Sequence, residues 1–201
     1  MILSDLWNQL VLLANANNGH VTAKQAVSAG ISRTLLMQYV KEEKLTRVCR
    51  GHYIITGEIA DEYALLQSRS SHLVFSHGTA LFIWGLSDRI PHILDVSVPQ
   101  SVNVSKLKSD HPDVHFHYVR KDLFDIGKTE SLSPYGNNII LYDKERCICD
   151  LIKARKSTDM QLYSQAIKDY FSHECNVRKL IKYGRLLGIE DKIRTYTEVM
   201  L

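Results

Sequence analysis

No apolar run in this chain reaches the roughly 18 residues that a bilayer crossing requires, so no membrane partner is expected. The opening Met1-Ile2-Leu3-Ser4-Asp5 lacks the basic patch and long apolar stretch of a secretion signal, and the expected location is the cytoplasm. The four cysteines, Cys49, Cys147, Cys149 and Cys175, are too few for a disulfide scaffold in 201 residues, and a reducing cytosol would keep them as thiols. Repeats of 20 to 50 residues and low-complexity stretches are missing, which argues against solenoids. Neither G-x-x-x-x-G-K nor G-x-G-x-x-G occurs, so nucleotide binding has no local support and no cofactor is expected. Ser76-His77 lacks the glycine-flanked setting of a nucleophile elbow.

Charge imbalance is small but concentrated. The formal net charge is +3. Residues 1–57 hold six basic side chains, Lys24, Arg33, Lys41, Lys44, Arg47 and Arg50, against the three acids Asp5, Glu42 and Glu43. Removing these from the totals of 25 and 22 leaves 19 of each sign in residues 58–201, so the whole excess lies at the N-terminal end. With 45% hydrophobic residues, the chain is long enough for two buried cores.

Helical spacing predicts a first helix over Asp5–Ala16, capped by Ser4 or Asp5 and stopped by Asn15–Gly19. Thr22 caps a second helix ending at Gly30, and Ser32 caps a third that runs to about Lys44. Leu45–Ile55 reads as a β-hairpin with Arg50-Gly51 at its tip and Val48, Tyr53 and Ile55 available for a buried face. Beyond Gly57, helices are expected at Ile59–Ser70 and Ser76–Trp84, strands at 94–98, 114–119 and 138–142, a helix capped by Asp143 to about Lys156, and two or three helices after Asp159. The expected fold is α+β: a winged helix-turn-helix over 1–57, then a mixed α/β domain over 58–201 with a small sheet and several helices.

A helix-turn-helix needs a small residue where its helices touch, a glycine in the turn, and apolar residues locking the second helix down. Ala26, Gly30 and Leu36 with Tyr39 or Val40 occupy those places. The third helix then has Leu35, Leu36, Tyr39 and Val40 on one side and Arg33, Thr34, Met37, Gln38, Lys41 and Lys44 on the other. Arg33, Thr34 and Gln38 suit base edges in a major groove, Lys41 and Lys44 suit phosphates, and Arg47, Arg50 and His52 would form the wing contacts. Thr22, Lys24 and Ser32, at the helix starts, complete the expected DNA-binding set. Winged-helix shapes also serve protein contacts alone, but spacing, charge and hairpin agree on duplex DNA.

Gly19-His20-Val21-Thr22-Ala23-Lys24-Gln25, Gly30-Ile31-Ser32-Arg33 and Leu45–Tyr53 resemble the N-terminal domain of the AbiEi family, antitoxins of type IV toxin-antitoxin systems known from abortive phage infection. Further segments of similarity are Phe75–Leu81, Leu86–Pro91, Val96–Pro99 and Tyr142–Arg146 with Cys149–Ile152, so the resemblance runs in order over about 19–155. It implies a non-enzymatic protein of two roles. The winged helix would repress its own operon at operator DNA carrying inverted repeats, and the C-terminal domain would counter a nucleotidyltransferase-like toxin without a stable complex. It also nominates Arg89, Asp143, Lys144, Glu145 and Arg146 as an antitoxin surface.

Structural explanations compete for the same residues. Asp143 and Glu145 suit an N-cap and a first-turn acid, Arg146 and Asp150 an i, i+4 pair, Ser76 a helix cap, and Arg89-Ile90-Pro91 a sharp turn. A metal site drawn from Cys147, Cys149, His111, His115 and His117 is not expected. Thiols two apart on a helix diverge by about 200°, and His115 with His117 reads as the polar face of a strand. Two alternatives differ in class: a ligand-sensing winged-helix regulator without antitoxin activity, and a nuclease using Asp95 and Asp143.

Overall fold

A computed structural model describes residues 2–173 and 175–201, with side chains from Asp5 onward. Among these residues the chain is mixed α/β, with eleven α-helices, a three-stranded sheet and a five-stranded sheet. It forms two compact units, one reaching to Ser68 and including Leu132–Asn138, the other comprising Arg69–Ser131 and Ile139–Leu201. No described helix is long and apolar enough to cross a membrane.

In the first unit, α1 (Ile2–Asn15) buries Leu10 and Ala14 one turn apart. Of its two expected caps, the side chain of Ser4 lies outside the described residues, and Asp5 falls inside the first turn. Asn18 and Gly19 turn the chain with φ of 49° and 82° into β1 (His20–Thr22). A reciprocal cap then starts α2 (Ala23–Ser28): the Gln25 amide donates to Thr22 Oγ1 at 3.1 Å and the Thr22 amide to Gln25 Oε1 at 2.8 Å. Such caps contribute about 1 kcal/mol.

Gly30, at φ 81°, lets the Ile31 amide fold back onto the Ala26 carbonyl at 2.9 Å. Ser32 Oγ accepts from the Leu35 amide and opens α3 (Arg33–Lys41). This helix stops short of the expected Lys44, because Glu43 adopts φ 55° and the Lys44 amide returns to the Tyr39 carbonyl at 3.0 Å. No glycine marks that stop.

The hairpin strands β2 (Leu45–Cys49) and β3 (His52–Ile55) pair antiparallel, with an irregularity between Arg47 and Cys49. β1 joins the other edge of β3, His20 opposite Ile54, giving the order β1-β3-β2. Tyr53 and Ile54 are buried while Val48 and Ile55 are half-buried, so the inward set differs from the expected one; the register break falls at Val48. Ala26, Ile31, Leu35, Leu36 and Tyr39 join Leu10, Val21 and Tyr53 in one core. α4 (Glu62–Ser68) begins three residues later than expected because the fully buried Asp61 accepts the amides of Tyr63 and Ala64. Asp61 also accepts from Ser133 Oγ and Asn137 Nδ2.

The second unit is built on the five-stranded sheet, to which Leu132 and Asn138 also contribute as strand ends. Its elements are β4 (Val74–Phe75), α5 (His77–Ile83), β5 (Leu94–Pro99), α6 (Ser105–Asp110), β6 (Val114–Val119), α7 (Lys121–Phe124), β7 (Lys128–Leu132) and β8 (Asn138–Tyr142). α8 (Lys144–Lys153), a 3-10 turn at 155–157, α9 (Met160–Ser172), α10 (Val177–Leu186) and α11 (Glu190–Met200) follow. The strand order is β6-β5-β4-β8-β7. β5 runs parallel to β6 in register from Leu94 opposite Val114 to Pro99 opposite Val119, with α6 in the crossover.

Candidate functional site

In α3, Leu35, Leu36 and Tyr39 are buried, Val40 is half-buried, and Arg33, Thr34, Met37, Gln38 and Lys41 are exposed. One helix thus locks a packing face and frees a polar one. Arg33, Lys41 and Lys24 have no hydrogen-bond or ion-pair partner among the described residues, nor do Arg47 on β2 and Arg50 at the hairpin tip, all exposed. Thr34 is likewise exposed with no partner among the described residues, and the remaining expected contacts are engaged or half-buried. Thr22 and Ser32 cap helices, and Gln38 Nε2 donates to Glu42 Oε1 at 2.8 Å. Lys44 pairs with Glu42 at 2.8 Å and lies 5.6 Å from the ring centroids of Trp7 and Tyr39. Met37 Sδ accepts from the Tyr53 hydroxyl at 4.0 Å, and His52 is half-buried on β3.

A second cluster forms on the β5–β6 pair. Strand alternation puts His115 and His117 on one face, and the parallel register sets Asp95 opposite His115. His117 Nε2 lies 2.7 Å and His115 Nδ1 3.3 Å from the same carboxylate oxygen, Asp95 Oδ1. The other oxygen accepts the Gly78 amide at 3.2 Å, and the Asp95 amide donates to Thr79 Oγ1 at 2.7 Å. A Cβ at position 78 would stand 3.0 Å from Asp95 Oδ2, so glycine is what lets the α5 backbone approach the carboxylate.

His77 enters α5 at φ 47°, a strained conformation for a residue with a Cβ, and its ring stacks on His117 at 3.6 Å and 11°. Burial, then the adjacent His117, pushes His77 down to about 3, so its imidazole is neutral near pH 7. Ser76 occupies the N-cap position but makes no side-chain cap bond; its hydroxyl meets Ser97 Oγ at 2.9 Å and His77 Nδ1 at 3.0 Å instead. A cleft of about 360 Å³ adjoins the cluster, lined by His77, His117, Gln100, Arg120, Arg146 and Lys153 among others.

The charged start of α8 is largely internal. Glu145 and Arg146 are 8% and 1% exposed. As expected, Asp143 accepts the Arg146 amide at 2.8 Å, and Arg146 pairs with Asp150 at 2.9 Å. Lys179 bridges Asp143 at 3.0 Å and Glu145 at 3.1 Å, and the hydroxyls of Tyr183 and Tyr170 donate to the same two carboxylates. Asp95 and Asp143 thus have different hydrogen-bond and ion-pair partners. Of the five residues nominated for an antitoxin surface, Lys144 and Arg89 are exposed, the latter held by Asp159 at 3.5 Å and Gln161 at 3.1 Å. Lys144 also borders an open cleft of about 800 Å³ with Trp84, Leu86, Asp169, Tyr170 and His173. All four cysteines are free thiols, Cys147 and Cys149 buried.

No family model and no curated protein matches the chain. Among solved structures it is similar to the RV2827C protein from Mycobacterium tuberculosis, with a TM-score of 0.61 and 13% identity over 90% of this chain and 71% of that one. At that identity the likeness concerns the fold alone, a mixed α/β architecture.

Proposed function

We propose that the first unit is a winged helix-turn-helix that grips duplex DNA, and that the protein is an AbiEi-like antitoxin repressing its own operon. The observation carrying this reading is the split of α3: its apolar side closes the core while Arg33 and Lys41 stand exposed and unpartnered among the described residues, beside a hairpin bearing Arg47 and Arg50. Arg33 and Thr34, on the first turn, are assigned to base edges; Lys24, Lys41, Arg47 and Arg50 to phosphates. Gln38 would have to leave Glu42 to read adenine, so its contribution is the smaller one.

The antitoxin role rests on the resemblance and is assigned to the second unit, where Arg89 and Lys144 offer exposed charge and Glu145 and Arg146 act from inside by holding α8.

Fluorescence anisotropy on duplexes from the upstream region tests the DNA half. Lys41→Ala and Arg50→Ala should weaken binding to all sequences and each flatten the slope of log K against log salt by about 0.9. Arg33→Ala should instead relax preference at one base pair, at about 1–3 kcal/mol. Unaltered affinity and slope in both phosphate variants would reject the assignment. Co-expression with a nucleotidyltransferase-like toxin from an adjacent reading frame tests the other half, with restored growth expected and continued arrest opposing it.

A further inference from the structure

We propose that Asp95, His115 and His117 form a binding site for one divalent transition-metal ion of the zinc type. The three donor atoms, Asp95 Oδ1, His115 Nδ1 and His117 Nε2, lie within 4.8 Å of one another. Zinc bonds of about 2.0–2.1 Å place neighbouring tetrahedral donors roughly 3.3 Å apart. Of the observed separations from Asp95 Oδ1, the 3.3 Å to His115 matches that value and the 2.7 Å to His117 is shorter, so His117 and the carboxylate must rotate apart slightly to admit an ion.

The surroundings fix the donors rather than leaving them to chance. Asp95 is anchored at both ends by α5, through the Gly78 amide on Oδ2 and Thr79 Oγ1 on its own amide, which aims Oδ1 at the histidines. His117 is clamped by the stacked His77 ring, itself held by the buried Ser76–Ser97 pair. Partners that orient ligands in this way tune metal affinity by about 10- to 100-fold. Two imidazoles and one carboxylate suit a borderline ion such as zinc, iron or nickel better than calcium or magnesium, which prefer oxygen alone. His115 is 64% exposed, leaving the solvent side for water to complete the coordination. The site is independent of the DNA-binding assignment, since it lies wholly in the second unit.

Cobalt(II) titration of the full-length, untagged chain, followed by its visible d–d bands and by zinc displacement, reads the site directly. One saturable equivalent is expected, with affinity falling at least tenfold in His115→Ala and in His117→Ala. His115→Ala removes an exposed side chain, so far-UV circular dichroism and the metal-free melting temperature should match the wild type and separate ligand loss from unfolding. Failure of the wild type to take up one equivalent, or undiminished affinity in a folded His115→Ala protein, would overturn the proposal.

Discussion

Replacing Arg146 by methionine should strongly destabilise the second unit, although the position is charged and is itself one of the residues nominated for a functional surface. The Arg146 side chain is 1% exposed and donates to Asp150 Oδ2 at 2.9 Å and to the carbonyls of Leu123 and Ile126, both at 2.8 Å. Its guanidinium also lies 4.3 Å from the Tyr142 ring centroid. Burial already raises the Asp150 carboxyl above its ordinary value, with Arg146 opposing that rise. Methionine fills similar volume but leaves the carboxylate unpaired, a loss of about 3–5 kcal/mol, and orphans two carbonyls at about 1–3 kcal/mol each before relaxation. Protonation of Asp150 limits the total, so about 4–5 kcal/mol is expected against a typical domain stability of about 5–15 kcal/mol. Arg146→Met/Asp150→Leu should recover about 2 kcal/mol or more, because it removes the stranded charge while leaving the carbonyls. Urea unfolding followed by circular dichroism measures both. A single-variant cost below about 1 kcal/mol, or no recovery in the double variant, would refute the reasoning. Loss of the proposed antitoxin activity in Arg146→Met would then be read against its stability, not as a lost contact.

Three further outcomes follow from particular contacts. Gly184→Ala in α10 would gain up to about 1 kcal/mol in helix propensity, but the new Cβ would stand 2.8 Å from Ile193 Cγ1, so a net loss of about 1–2 kcal/mol is expected; a raised melting temperature in the variant would contradict this. Glu43→Gly, at φ 55°, should raise stability by about 0.5–1 kcal/mol by removing left-handed strain, and should tighten DNA binding by deleting an acid near the basic face; weaker binding by a more stable protein would count against the proposed interface. Arg185 and Arg194 hold the Glu190 carboxyl down to about 2. A depressed acid stabilises the fold above its unfolded value of about 4.3 and loses that effect as pH falls through its folded value. Glu190→Gln should therefore melt below the wild type at pH 7, with the gap closing between about pH 4.5 and 2; a gap indifferent to pH would remove the ion-pair explanation.

Strong local signals account for the parts of the fold that were legible. Thr22, Ser32 and Asp143 cap the helices they were expected to cap, and the 114–119 and 138–142 strands have the expected bounds, because capping hydroxyls and alternating apolar residues act within a few positions. β4 is only two residues long, and Lys128–Leu132 has no apolar alternation; both are strands because neighbours in the sheet pair with them, a cause no local window contains. α3 ends early at a glutamate where the sequence offers no glycine to announce it.

The histidine–aspartate cluster lies between these cases. His115 and His117 share a strand face by alternation alone, which is why they read as an ordinary polar face. Their meaning changes only with Asp95, twenty residues earlier on the neighbouring strand. The crossover through α6 makes the strands parallel, but parallel direction does not set register: a slip of one residue would turn Asp95 to the opposite face, and a slip of two would move it away from His115 along the strand. The apolar set on the other parity, Leu94, Val96 and Val98 against Val114 and Phe116, excludes the one-residue slip, since that slip would turn one strand's set away from the other's. The chemistry of the cluster thus depends on residues that take no part in it.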